Sequence, residues 1–421
     1  MADFSATRLA MQKYAKDAQK LLVKRSVWDQ LSNRVEANGD ISNAVNEVPA
    51  TVVHVVEGST DKKQRSVTCT MAGKLGGDYV AGANKAEGTE GTVGLSSIVV
   101  YYNLWRRAFK IQTGTRGVEG NIEDFYVAAK QSTSISADYA GELRDYFHHS
   151  ALMEGASPIL TSSSAWTGYS NATLQSAPVS VALHPKIFYK GQTAAITRSS
   201  TYATDLTNVM TALATMTSAS DFDLDSVNSL ATICANNVQP LQWSAGGQEV
   251  KWIVLISSLQ AIQLRSDSAW VTAMQNAEKR GPENRLLSGI LGNYRGMLIV
   301  ENYRAPVFDL TNSVFQYVKP NNTNNDYLLG SQSITRTAKG ATTVATGMCE
   351  IAICLGAGAV YRSLPEDIFH EEQDSDYKMV HGYLVGSQEG HQRADFLAAD
   401  GSTTTNQSSA LYFTGTPSVS L

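Results

Sequence analysis

Apolar and small residues recur at three- and four-residue steps from Asn121 to Glu154, at Phe125, Ala128, Ser132, Ile135, Tyr139, Leu143, Tyr146 and Phe147. This spacing predicts a single helical stripe. Gly155 and Pro158 follow, the residues that usually close a helix. At 1.5 Å per residue, about 34 residues make a rod of about 50 Å, more than the diameter of a small domain. The β-branched, Ser-rich patch 132–136 is the place where such a helix is expected to break.

The second unusual segment has almost nothing to build a core from. Val52, Val53, Val55 and Val56 predict a buried strand, and Val67, Cys69 and Met71 alternate on one side of another. Between Gly73 and Gly94 the pattern collapses into seven glycines with Lys74, Asp78, Tyr79, Lys85, Glu87 and Glu90, and apolar character resumes at 95–102. Two extended arms joined by a Gly-rich polar tip read as a long hairpin leaving the body. A lone two-stranded hairpin is marginal in water, so this element is expected to be mobile unless something else packs on it.

Residues 5–33 read as a helical arm with apolar Leu9, Tyr14, Leu21, Leu22, Trp28 and Leu31. The arm is basic (Arg8, Lys13, Lys16, Lys20, Lys24, Arg25), although the chain carries a net charge of -5. Either it is a solvated helix face, or it docks on a neighbouring subunit or faces nucleic acid. Helices are expected at 204–216, 224–236 and 259–279, and strands at 250–256, 296–301 and 348–355, an α/β or α+β body. Residues 366–399 return to short extended runs, and a hydroxyl-rich tail follows Gly401.

Only 17% of the residues are charged, against roughly 25% in an average soluble domain. The net charge argues against a protein that wraps nucleic acid, which needs clustered Lys and Arg. With 421 residues, 43% of them hydrophobic, general disorder is excluded and two or three domains are expected. Low charge with 32 glycines and many hydroxyls fits loop-rich surface, or surface covered by other protein. No run reaches 18 apolar residues, and charged side chains occupy the place of a signal core, so an intracellular protein without a membrane span is expected. Cys69, Cys234, Cys349 and Cys354 show no CxxC and no even spacing. Neither a disulfide framework nor a zinc ribbon is expected, and a reducing compartment fits.

No catalytic, cofactor or metal motif is intact. Gly356-Ala-Gly358 after an apolar strand imitates a dinucleotide turn, but Tyr361 holds the third glycine position and Pro365 leaves no room for the helix. It reads as a buried strand ending in a tight turn. Asp221, Asp223 and Asp225 imitate a calcium loop that fails at Ser226 and Thr232, and read as acids opening a helix at Leu224. His148 and His149 are neighbours that point about 100° apart on a helix, so they do not share a metal.

The order of basic arm, Gly-rich hairpin, long helix, α/β body and returning strands resembles the major capsid proteins of tailed bacteriophages, the HK-97-like fold. Local sequence is similar too. Trp252–Arg265 (WIVLISSLQAIQLR), Trp270, AEKRGPEN at 277–284, LSGILGNYRG at 287–296 and LIVENYRAP at 298–306 match the family's strand, its helix with a buried Leu-Arg pair, tryptophan, and RG-turn strand leading to a proline. Leu355–Ala359 and the run from Tyr377 to His391-Gln-Arg-Ala-Asp-Phe396 resemble its last strands.

The resemblance implies an α+β fold with an N-terminal arm (1–50) and an extended loop or E-loop (51–100). A peripheral domain (101–184 with 361–400) would carry the spine helix, followed by an axial domain (185–360) and a C-terminal tail (401–421). It implies a major capsid protein assembling as hexamers and pentamers of an icosahedral head, assembled in the host cytoplasm and located in the virion. Implied partners are further copies, a portal, scaffold or decoration proteins, and packaged double-stranded DNA bound without sequence specificity. No cofactor, metal or catalytic residue is implied. Lys74, Tyr79, Lys85, Arg8 and Trp28 are the expected inter-subunit contacts. An encapsulin-like nanocompartment shell shares the fold and stays open as an alternative, as does an α/β enzyme.

Overall fold

Helix α1 runs unbroken from Ile122 to Glu154. The Ser-rich patch does not interrupt it, and Gly155 ends it in the left-handed region (φ +92°), its N–H bonded to Ala151 O at 2.9 Å. From Ser136 onward, burial on α1 is not confined to the apolar stripe. Ala140, Arg144, Asp145, Phe147, His148 and His149 are buried, whereas Tyr139, Leu143 and Tyr146 are only half-buried. The structure, a computed structural model, describes residues 28, 31–33, 52–56, 66–72, 95–112, 122–161, 179–198, 201–217, 220–241, 243–245, 248–277, 290–320, 334, 337–339, 346–375, 380–397 and 404–416.

Helix α1 lies on a five-stranded sheet in the order β1-β2-β15-β16-β5: β1 Ser32–Asn33, β2 Val53–Val56, β15 Val360–Ser375, β16 Val380–Arg393 and β5 Asn103–Gln112. β15 and β16 are two long antiparallel strands where short runs are expected. Pro365 falls at a register shift between Ser363 and Glu366, the kind of site a residue without N–H tolerates. Gly390 is required by close approach: a methyl there would overlap the Tyr101 carbonyl oxygen. Ser32 and Asn33 are strand, so the expected arm helix stops before residue 33.

The larger sheet is covered by helices on both faces. Its strands are β10 Ile290–Tyr294, β11 Met297–Asn302, β9 Trp252–Ser257, β14 Met348–Leu355, β12 Val307–Asp309, β13 Val314–Gln316, β19 Ser409–Gly415 and β6 Ile187–Tyr189. Ile253, Leu255, Ile351, Ile353, Leu411 and Phe413 face helix α3 (Tyr202–Ala214) and the end of α1. Trp252, Val254, Ala352, Cys354 and Tyr412 face α4 (Leu224–Asn237), α5 (Ser258–Ser266) and α6 (Ser268–Ala277). Strand β14 is buried at every position, as its continuous apolar run predicts.

Two expectations are corrected here. The C-terminal segment is not a tail: β18 (Thr404–Asn406) pairs with β17 (Asp395–Leu397), and β19 inserts between β14 and β6 with all seven residues buried. Its apolar centre, Ala410–Phe413, is short and flanked by hydroxyls, so composition hides it. The sulfurs of Cys234 and Cys354 are bonded, joining α4 to β14 across 120 residues, against the expectation of no disulfide. Irregular cysteine spacing carries no information about a helix packed on a strand.

The expected helix 259–279 is two helices, because Asp267 ends α5 and its carboxylate accepts from Ala269 N at 3.0 Å, opening α6. Asp223 caps α4 through Ser226 N at 2.9 Å, as the acids before Leu224 suggest. Leu264 is buried but Arg265 is exposed and bridged to Glu301 at 3.0 Å, so only half of the expected buried Leu-Arg pair is buried. The Gly356–Ala359 turn joins the two sheets, and Gly356 passes so close to Gln239 O that no side chain fits.

Candidate assembly surface and its buried support

Strands β3 (Ser66–Ala72) and β4 (Leu95–Tyr101) pair antiparallel, Ser66 opposite Tyr101 and Ala72 opposite Leu95. The expected hairpin therefore exists at its base. It has two unlike faces, because strand side chains alternate. Ile98 and Val100 are buried with Tyr361, Ala394 and Phe396, and Cys69 packs against them. Thr68, Ser97 and Val99 are exposed on the other face, which carries no charge among these residues. The hairpin is anchored on its own chain by one face and presents the other, a composition typical of interface cores. Tyr303 and Ile262 are further exposed apolar side chains, on the larger sheet's side.

A charged centre beneath α1 holds this frame. Glu389 on β16, fully buried, accepts from Trp105 Nε1 on β5 at 2.6 Å, Arg144 Nε on α1 at 3.0 Å and Arg362 Nη2 on β15 at 3.2 Å. Arg144 Nη2 also reaches Asp367 Oδ1 at 2.6 Å. Two guanidinium groups and two carboxylates balance when His391 is neutral. Burial, then Arg362 and Arg144, holds His391 well below its ordinary range. The His391 ring meets His148 edge-on at 4.3 Å.

Arg393 forms a second centre at the end of α1. Its Nη1 donates to Leu152 O at 2.8 Å and Met153 O at 3.4 Å, which are carbonyls left without helical partners. Its Nη2 reaches Ala182 O and Leu183 O, both at 3.2 Å. The Asp395 carboxylate closes the fork, with both oxygens 2.9 Å from Nε. One cation thus binds the negative end of the helix dipole, the 182–183 segment and β17. Arg304 similarly ties the end of β11 to α1 through Asp145 at 2.7 Å and Glu142 at 3.5 Å.

Of the five expected inter-subunit contacts, Arg8, Lys74, Tyr79 and Lys85 lie outside the described residues. Trp28 is a correction: it is 0% exposed in its own chain, stacked on His148 at 5.1 Å and 4° between planes. An apolar residue on a basic arm reads as a docking side chain, and it does dock, but within its own chain. Sequence reasoning did not single out Glu389, Arg144 or Arg362. Arg393 and Asp395 lie in the quoted HQRADF run, and their i, i+2 spacing on an extended chain is a legible sign of an ion pair. Among the described residues no three His, Cys, Asp or Glu side chains group as metal ligands, and no helix is long and apolar enough to cross a membrane.

A long spine, a hairpin anchored by one face and a two-faced sheet locked by buried charge define a structural shell subunit. The sequence matches the phage capsid protein family over residues 7–411, and the chain belongs to that family. It is a major capsid protein of a phage head, located in the virion capsid. A comparison with the curated proteins gave no match. The structure is similar to the capsid of cyanophage Pam1 (17% identity, 92% of this chain and 95% of that chain, TM-score 0.56). It is also similar to the capsid of Ralstonia phage GP4 (16%, 92% and 94%, TM-score 0.53) and to an acidic stable capsid of Helicobacter pylori bacteriophage KHP30 (14%, 91% and 93%, TM-score 0.52). At these identities the likeness establishes the fold, the expected α+β HK-97-like architecture.

Proposed function

We propose that copies of this chain assemble as hexamers and pentamers of an icosahedral head enclosing double-stranded DNA, with no catalytic role. In this reading the hairpin of β3 and β4 lies over a neighbouring subunit as an E-loop, which is narrower than the expected 51–100 because β2 pairs with β15 in the five-stranded sheet. The five-stranded sheet with α1 serves as peripheral domain, and the larger sheet with its helices as axial domain. The observation that carries the reading is the split hairpin, buried by Ile98 and Val100 and uncharged at Thr68, Ser97 and Val99. The cost of ordering a glycine-rich tip is offset by contacts on the next copy. A portal, scaffold or decoration proteins complete the particle, and low net charge keeps DNA from adhering to the inner wall. The Lys74, Tyr79 and Lys85 side chains of the tip and Arg8 of the arm are the proposed contacts with other copies.

Deleting residues 74–92 is expected to leave a folded subunit, since the anchoring residues Ile98 and Val100 stay, but to abolish closed shells. Circular dichroism checks the first outcome and electron microscopy the second. Intact shells from the deletion variant would remove the assembly role of the tip.

A further inference from the structure

Among the described residues of the N-terminal arm, Trp28 meets the body at one imidazole nitrogen that accepts twice. His149 Nε2 accepts from Trp28 Nε1 at 3.3 Å and from Asn302 Nδ2 at 3.0 Å. The backbone carbonyl of Asp145 takes the hydrogen on the ring's other side, so the network assigns the neutral Nδ1–H tautomer. Beside this contact Trp28 stacks flat on His148, Leu31 packs on the same core, and Leu31 O accepts from Val53 N at 3.4 Å. Ser32 and Asn33 then add β1 alongside β2. The described part of the arm before residue 34 is thus held in two places, Trp28 at His148 and His149 and Leu31–Asn33 alongside β2.

From these contacts we propose that His149 is a proton-operated latch: protonating Nε2 turns its two acceptor contacts into donor-against-donor contacts and releases Trp28 with β1 from the body. The charged surroundings favour this direction. Arg304 approaches from beyond β11, and its charge opposes a second cation at His149. Asp145 and Glu142 on α1 are both engaged by that same Arg304, at 2.7 and 3.5 Å. His148, next along α1, lies under the Trp28 ring and meets His391 of β16, which is flanked by Arg362 and Arg144 and by Glu389 at 3.9 Å. None of these groups offers an unshared carboxylate to a His149 cation.

Burial, with Arg304 second, holds the docked ring down to about 3 from its ordinary 6.5. A ring opened to water by undocking rises towards its ordinary value, with Arg304 still beside it. Since the docked form binds fewer protons, docking weakens as the pH falls below the ordinary histidine range, and the opening constant rises by up to about tenfold between pH 7.5 and 5.5.

Hydrogen–deuterium exchange of the full-length protein at pH 7.5 and 5.5, divided by intrinsic exchange, tests this. The peptide carrying Trp28–Asn33 is expected to exchange several-fold, up to about tenfold, faster at pH 5.5, with β14 peptides unchanged. In His149→Gln, which accepts through an amide oxygen and does not titrate, the ratio is expected to fall below about twofold. If that variant is insoluble, Trp28→Phe carries the test, because it keeps the ring and removes one donor, and its ratio must be at least about twofold smaller than the wild-type one. A wild-type ratio near one, an acid response that survives in His149→Gln or persists in full in Trp28→Phe, or joint loss of protection in β14 overturns the latch.

Discussion

Glu389→Ala is expected to cost about 3–5 kcal/mol, because it leaves the buried Arg144 and Arg362 without the carboxylate they share. Both guanidinium groups are essentially unexposed, and Asp367 alone cannot balance two positive charges. The Trp105 N–H loses its acceptor at the same time. Against a typical total of about 5–15 kcal/mol this is a large fraction. We expect the melting temperature of the unassembled subunit to fall by roughly 5 °C or more, and the yield of soluble protein to drop with it. Glu389→Gln, which keeps an oxygen for one donor but no charge, should fall between the two. A Glu389→Ala melting curve within a degree or so of wild type would show that the buried charges do not support α1.

Arg393→Ala is expected to have a comparable effect of about 3–5 kcal/mol, for a different reason. Here the loss is chiefly of backbone satisfaction: Leu152, Met153, Ala182 and Leu183 carbonyls lose their donor, and the helix end loses its cation. Arg393→Lys should recover little, since an ammonium does not reproduce a planar five-donor fork. Urea titration followed by circular dichroism would measure both variants. A lysine variant as stable as wild type would mean that the charge alone holds the α1 terminus, and an unaffected alanine variant that neither does.

Elements with a strong local pattern were legible from residues alone. The rod 121–154, the strand Met348–Leu355, the two hairpin arms and the acids opening α4 stand within a residue or two of the expected positions. In each case the signal is a period or a cap, and both act over a few neighbours. The break at Asp267 is not legible in the sequence because apolar spacing continues across it, while one carboxylate redirects the backbone. Strand β19 was missed for the opposite reason, as a short apolar run among serines and threonines carries too little pattern to stand out.

The buried charges illustrate the larger gap. Arg144 sits one position beyond Leu143 in a stripe that reads as apolar, yet Arg144 is the residue that turns inward, because Glu389 waits for it 245 positions later. Trp28, on a basic arm, has the pattern of a side chain meant for a neighbour, yet it fills a slot made by His148 and His149, 121 positions from the latter.

Periodicity, turn residues and the shortage of charge were enough to specify a long rod, a coreless hairpin and a chain made to be covered by others. Which strands became neighbours, which charges were buried and which cysteines met depended on folding, because each of those outcomes is an energy between residues brought together from distant parts of the chain.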